Sequence, residues 1–195
     1  MQGFASEHAV SVSRPKNATA APTELRALFA AHYPAIWRLL RRLGVREPQV
    51  DDAAQEVFWV AARRLDDIEP GSERSFLYGV ALRIAANMAR RQAAMPPLIA
   101  IESVSFVPDL QPSAEEMLAE KEARALLEEA LDHLPQDLRV VLVLHEIEGV
   151  ELRKIAEMEA IPAGTASSRL RRARQEFSAI ATRIRARLRR RGGQD

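Results

Sequence analysis
The sequence contains no cysteine, which excludes disulfide scaffolds, Cys-ligated zinc, iron–sulfur centres and thiol nucleophiles at once. Glycine is scarce, 8 in 195 residues, and aromatic residues make up only 5%; both argue against a β-rich barrel or a Rossmann-type α/β domain. No apolar run approaches the roughly 20 residues that a membrane span needs. The segment from Met1 to Pro22 is rich in Ala, Ser and Thr and lacks the compact apolar core of a secretion signal. What is present is 47% hydrophobic and 28% charged residues, the composition of a soluble, helical, cytoplasmic protein with one ordinary domain or two small ones.

Net charge is also nearly absent, +1 from 28 basic and 27 acidic residues, but its distribution is uneven. Residues 25–92 carry a net +3, residues 93–129 a net −6, residues 130–161 a net −4 and residues 162–195 a net +8. A basic C-terminal end behind an acidic middle suits polyanion binding, although a basic stretch also serves as a solvated helix face.

Helical periodicity places a first helix from Glu24 to Leu43, with Leu25, Leu28, Phe29, Ile36, Leu39, Leu40 and Leu43 on one side and Pro34 as a kink or first-turn residue. Gly44 stops it, and Pro48 opens a second helix, about Pro48 to Leu65. After an Asp66–Ser72 loop, a third helix runs from about Ser75 to Gln92. Residues 93–112, with Pro96, Pro97, Pro108 and Pro112, lose the periodicity and read as a flexible linker. Four further helices are expected, about 113–134, 136–148, 152–159 and 163–190, with Ser113 and Glu116 as a capping box. The fold class is therefore all-α: two small helical domains joined by a linker.

Enzymatic chemistry finds little support. His8, His32, His133 and His145 never fall at metal-binding helical spacing, and there is no glycine-rich phosphate loop. Asp51, Asp52 and Glu56 imitate a carboxylate cluster, but acids in the first turns of a helix are explained by its dipole. No catalytic residue, metal site or cofactor is expected. The informative feature is C-terminal: a short helix from about Leu152, a turn through Ala160 and Pro162, then a long helix with Ala166, Leu170, Ala173, Phe177 and Ile180 as a buried seam. Its other face carries Ser167, Ser168, Arg169, Arg171, Arg172 and Arg174. That is a helix-turn-helix arrangement, in which the second helix enters the DNA major groove and arginine pairs with guanine. The plainer alternative is a basic surface helix in an ordinary bundle.

The stretch Leu131-Asp132-His133-Leu134-Pro135-Gln136, with Ile155-Ala156-Glu157 and Gly164-Thr165-Ala166-Ser167-Ser168-Arg169-Leu170-Arg171-Arg172, resembles the fourth region of a bacterial RNA polymerase sigma factor. His32-Tyr33-Pro34, Asp51-Asp52-Ala53-Ala54-Gln55-Glu56-Val57-Phe58 and Arg83-Ile84-Ala85-Ala86-Asn87 resemble its second region. Both occur in order, with no room for other sigma domains, so the chain resembles the small extracytoplasmic-function (ECF) group. The resemblance implies a disordered extension over residues 1–23, a region 2-like domain over 24–92, a linker over 93–112 and a region 4-like domain with a basic tail over 113–195.

It also implies roles. Asp52, Gln55, Glu56 and Trp59 would dock on the β′ clamp helices of core RNA polymerase, and the β flap is the expected second contact. An outward tryptophan suits an interface anchor; packing on the linker is the alternative. Loop residues Glu73, Arg74 and Ser75 would line a pocket for an extruded base of the −10 element. On the third helix Asn87 would read a base edge, and Arg83, Arg90 and Arg91 would hold phosphates. Ser167, Ser168, Arg171 and Arg172 would read the −35 duplex, with Thr165 and Arg169 on phosphates. The implied function is a non-catalytic promoter-specificity subunit whose partners are core polymerase, promoter DNA and an anti-sigma factor. The alternative is a stand-alone helix-turn-helix regulator. Two residues depart from the family pattern: Ala160 where the turn usually has glycine, and Ser167 where Lys or Arg is common. The basic tail Arg183–Gln194 could extend the last helix, grip phosphates or fold against a regulator.

Overall fold
The computed structural model describes residues 21–93 and 114–192. Among them every regular element is helical: α1 (Ala21–Arg42), α2 (Glu47–Arg63), α3 (Glu73–Ala93), α4 (Ala114–Asp132), α5 (Gln136–Leu142), α6 (Leu152–Met158) and α7 (Ala163–Gly192). The expected N-terminal extension and linker, with the Ser113 cap, lie almost wholly outside the described residues. No helix among the described residues is long and apolar enough to cross a membrane.

The helices α1, α2 and α3 pack on one another as a three-helix unit. Leu28, Ile36, Leu39, Leu40 and Leu43 of α1 meet Val50, Ala54, Val57 and Ala61 of α2 and Leu77, Tyr78, Ala81 and Ala85 of α3. Pro34 sits inside α1. A Schellman motif ends α1: the Gly44 amide donates to the Arg41 carbonyl at 2.9 Å and the Val45 amide to Leu40 at 3.0 Å, with Gly44 at φ +92°. That left-handed step is the reason for glycine here. Pro48 then fills a first-turn position where no amide partner is lost.

Two of the boundaries that differ from the sequence reading flank the candidate sites. α2 stops at Arg63 and a short 3-10 turn, Leu65–Asp67, follows it. α3 begins at Glu73, so Glu73, Arg74 and Ser75 form its first turn instead of a loop. The Glu73 carboxylate accepts from the Gly71 amide at 2.9 Å and the Phe76 amide donates to the Ser72 carbonyl at 2.9 Å, which starts the helix two residues early.

In the C-terminal half α7 is the post against which α4, α5 and α6 pack. Ala166, Leu170, Ala173 and Ile180 are buried and Phe177 is half-buried, as the periodicity predicts, and the seam continues through Ala181 and Ile184. The basic tail extends α7 to Gly192. α5 passes into a π-type turn over Val143–Ile147, closed by the Val150 amide donating to Leu144 at 2.8 Å. Gly149, at φ +67°, reverses the chain there.

Candidate protein and nucleic-acid interfaces
The α2 helix buries Val50, Ala53, Ala54, Val57, Phe58 and Ala61 and turns Asp52, Gln55, Glu56 and Trp59 outward. These four fall at i, i+3, i+4 and i+7, one stripe along the helix. Trp59 is 60% exposed, and the Arg63 guanidinium lies 4.4 Å from its ring centroid, a cation–π contact that leaves most of the indole open. Asp51 belongs to a different face: it accepts from Tyr33 Oη and Trp37 Nε1, each at 3.0 Å, and so ties α2 to α1. Desolvation, with the Asp51 carboxylate beside it, raises the Tyr33 phenol above its ordinary range. No three acids or histidines among the described residues converge as metal ligands.

On α3, Arg83, Asn87, Arg90 and Arg91 are all exposed, at i, i+4, i+7 and i+8, and Asn87 Oδ1 accepts from Arg90. They form a basic strip on the C-terminal half of the helix. Glu73, Arg74 and Ser75 lie at the other end, about 20 Å away at 1.5 Å per residue. The amides of Gly71 and Glu73 hold the Glu73 carboxyl below its usual range, so it remains an anion and hydrogen-bond acceptor. Arg74 is engaged already: Nε donates to Tyr78 Oη at 2.9 Å, and Nη2 reaches the Glu148 carbonyl at 3.0 Å and its carboxylate at 3.2 Å.

The helix-turn-helix is formed by α6, the turn Glu159–Pro162 and the start of α7. The Ala160 amide donates to Glu157 at 3.2 Å and the Ile161 amide to Ala156 at 3.0 Å, a second Schellman motif. Here alanine occupies the left-handed position, φ +52°, the only non-glycine residue at positive φ among those described. Ser167, Ser168, Arg171 and Arg172 are exposed and Thr165 is half-exposed. Arg172 pairs with Glu176 at 2.7 Å within the helix, and Arg174 reaches Glu146 at 2.8 Å. Arg169 departs from the expected exposed face. It is half-buried and pairs with Asp137 of α5 at 3.3 Å, so its guanidinium braces α7 on α5.

Polar contacts that the sequence reading did not foresee organise the meeting of the two halves. Glu148 receives Arg42 at 3.0 Å, Arg74 at 3.2 Å and the Tyr78 hydroxyl, with its side chain only 8% exposed. Burial, and to a lesser degree the Glu148 hydrogen bond, pushes the Tyr78 phenol up to about 12. Arg41 pairs with Glu128 at 3.3 Å, and Gln136 Nε2 donates to the Leu43 carbonyl at 2.9 Å. Arg139, 7% exposed, pairs with Asp132 at 3.2 Å, and desolvation lowers its pKa. Its Nη1 lies where a Cβ on Gly44 would stand, 2.4 Å away, so the glycine also admits a guanidinium. The one signal for Arg139 in the sequence is a charge inside the apolar run Leu138–Leu144.

The Sigma-70 region 2 family matches residues 28–95 and the Sigma-70 region 4 family residues 124–177. The chain is 32% identical over 135 residues to the ECF RNA polymerase sigma-E factor of Escherichia coli (strain K12), a match covering 65% of this chain and 70% of that protein. It is 29% identical over 150 residues to the ECF RNA polymerase sigma factor SigE of Mycolicibacterium smegmatis, covering 77% of this chain and 58% of that one. Two solved structures share the fold. The sigma factor RpoE in complex with the anti-sigma factor NepR from Bartonella quintana superposes with a TM-score of 0.63 at 20% identity, covering 82% of this chain and 98% of that one. CnrH in complex with the cytosolic domain of CnrY gives 0.58 at 24%, covering 82% and 88%.

Proposed function
Because the chain belongs to the ECF RNA polymerase sigma-factor family, whose members are promoter-specificity subunits, we propose that it binds core polymerase and directs transcription initiation through two DNA-reading units. The unit over 24–92 docks on the β′ clamp helices with Asp52, Gln55, Glu56 and Trp59. It captures the melted −10 strand with Glu73, Arg74, Ser75, Arg83, Asn87, Arg90 and Arg91. The unit over 113–195 reads the −35 duplex with Ser167, Ser168, Arg171 and Arg172, while Thr165 stands near the phosphates. Arg169 supports that helix from behind through Asp137. Residues 93–112 link the two units, and the β flap of the polymerase is the second docking point. The protein performs no chemistry itself and works in the cytoplasm, where the polymerase is. An anti-sigma factor, the class of partner bound to the Bartonella relative, is its expected antagonist.

The observation that carries this reading is the open α2 stripe. A tryptophan 60% exposed beside three polar side chains has no use in a stand-alone DNA-binding regulator, whereas a docking face needs such an anchor. The test is equilibrium binding of the labelled protein to purified core polymerase. Trp59→Ala is expected to weaken it about 30-fold, the effect of an anchor worth about 2 kcal/mol, and Gln55→Ala/Glu56→Ala to abolish it at nanomolar concentrations. Wild-type affinity in both variants would remove the docking role.

A further inference from the structure
The helix α7 runs for 30 residues, Ala163–Gly192, about 45 Å, whereas the region 4 family match ends at residue 177. The half beyond that point, residues 178–192, contains six arginines and no acid. These arginines do not share one setting. Arg187 lies on the side of the helix that carries the buried Ile180 and Ile184, and it pairs there with Glu129 of α4. Arg185 and Arg189 lie elsewhere. Counted from Arg171, the residues Gln175, Ser178, Thr182, Arg185 and Arg189 fall at i+4, i+7, i+11, i+14 and i+18, and all six are exposed. One unbroken face therefore carries both the reading turns and the charge of the tail. Midway along it the surface is low: Ser178, Ala179 and Thr182 floor an open depression of 740 Å³ with Arg174 and Arg183 at its ends, about 14 Å apart along the axis.

We propose that the second half of α7 is a phosphate grip, which holds the backbone of the same duplex whose bases the first turns read. The proposal rests on the −35 reading of α7 above. A major groove is about 12 Å wide, and Arg185 and Arg189 stand about 21 and 27 Å along the axis from Arg171. A helix with its first turns in the groove has therefore left it before these side chains are reached, and the surface it crosses there is sugar and phosphate. The C-terminal end of a groove-bound helix is also where other long recognition helices meet the backbone. The small side chains of the depression let a strand approach α7 closely, and the arginines beyond close on its phosphates with charge-assisted hydrogen bonds. Charge complementarity favours DNA as the occupant: six positive residues in fifteen face a duplex that carries one negative charge about every 1.7 Å. No base edge is within reach, so the grip strengthens binding at every sequence alike. It replaces the phosphate contact forgone at Ser167, where the family commonly has a basic residue.

The test is equilibrium binding of the full-length chain, at several salt concentrations, to a fluorescein-labelled random-sequence duplex about 100 Å long, or about 30 base pairs. Arg185→Gln/Arg189→Gln is expected to lower the salt slope by about two and to weaken binding about 60-fold at about 0.1 M salt, the counterion release of two phosphates. The urea midpoint should not move, because both side chains are exposed. Arg185→Lys/Arg189→Lys keeps a point charge for each phosphate and is expected to retain the wild-type slope. Arg26→Gln/Arg38→Gln removes the same charge from exposed positions on α1 and is expected to leave the slope nearly unchanged. An equal fall in slope from that α1 pair would reduce the effect to net charge and overturn the proposal. An unmoved slope in the tail variant overturns it too, and is the result expected if an acidic protein surface is the occupant. Arg171→Gln separates the grip from the reading beneath it. If Arg171→Gln weakens duplex binding and the tail variant does not, the grip alone is refuted. If the tail variant weakens it and Arg171→Gln does not, the grip stands and the −35 reading of this helix falls.

Discussion

Ala160→Gly is expected to stabilise the helix-turn-helix. In the structure Ala160 is the C′ residue of a Schellman motif, held at φ +52° by hydrogen bonds of 3.2 and 3.0 Å on either side. For an L-residue with a Cβ the left-handed region costs roughly 1–2 kcal/mol relative to the right-handed one. Glycine removes that cost but adds chain entropy to the unfolded state, about 0.5–1 kcal/mol. The net gain is therefore about 0.5–1 kcal/mol, which for a unit of this size raises the melting midpoint by about 2–8 °C. Urea titration followed by far-UV circular dichroism measures it directly: the midpoint rises while the m-value stays constant. Duplex DNA affinity should stay within about twofold, since the backbone path is unchanged. A midpoint that falls, or one that rises only together with a changed m-value, would refute the claim that the turn stores local strain.

Three further outcomes follow from the geometry. Arg171→Ala and Arg172→Ala should each weaken duplex binding by about tenfold to a hundredfold where the arginine reads a base, or lower the salt slope by about one where it holds a phosphate; competition binding at several salt concentrations separates the two. Tyr78 has a native pKa of about 12 against 10.0 for the free phenol, so the stability it contributes is complete below pH 10 and is lost as pH rises toward 12. Absorbance at 295 nm should show less tyrosine ionised in the native protein at pH 10.0 than in urea, because Tyr33 is raised as well. Glu159 has its carboxyl raised mainly by burial, with Arg169 only partly offsetting it. Ionising it therefore destabilises the fold as pH climbs through its raised value, and Glu159→Gln should raise the urea midpoint at pH 7 and not at pH 3.

Much of this architecture is written locally. The α1, α2 and α7 stripes, the Gly44 stop and the Pro48 start arise from neighbours within one or two helical turns, so periodicity and cap chemistry locate them. The outward place of Trp59 was legible for the same reason, because it falls on the side of α2 opposite Val50, Val57 and Ala61. Ala160 was legible through its contrast with the glycine usual in the family's turn. The early start of α3 was not, because it depends on Glu73 folding back to the Gly71 amide, a side-chain choice that turn residues conceal. Glu148 was hidden for a deeper reason. Its partners Tyr78 and Arg42 lie 70 and 106 residues away, and nothing near Gly149 marks it as different from any acid at a helix end. Arg169 belongs with it: adjacent in sequence to the basic face, it is drawn aside by Asp137, which only the packing of α5 on α7 brings near.

The most direct measurement is in vitro transcription with purified core RNA polymerase and a library of random promoter sequences. The account predicts transcripts that require this protein, start downstream of a shared pair of −35 and −10 sequences, and disappear with Gln55→Ala/Glu56→Ala. Tight, salt-sensitive binding to duplex DNA with no dependent transcript would contradict it and leave a helix-turn-helix regulator in its place.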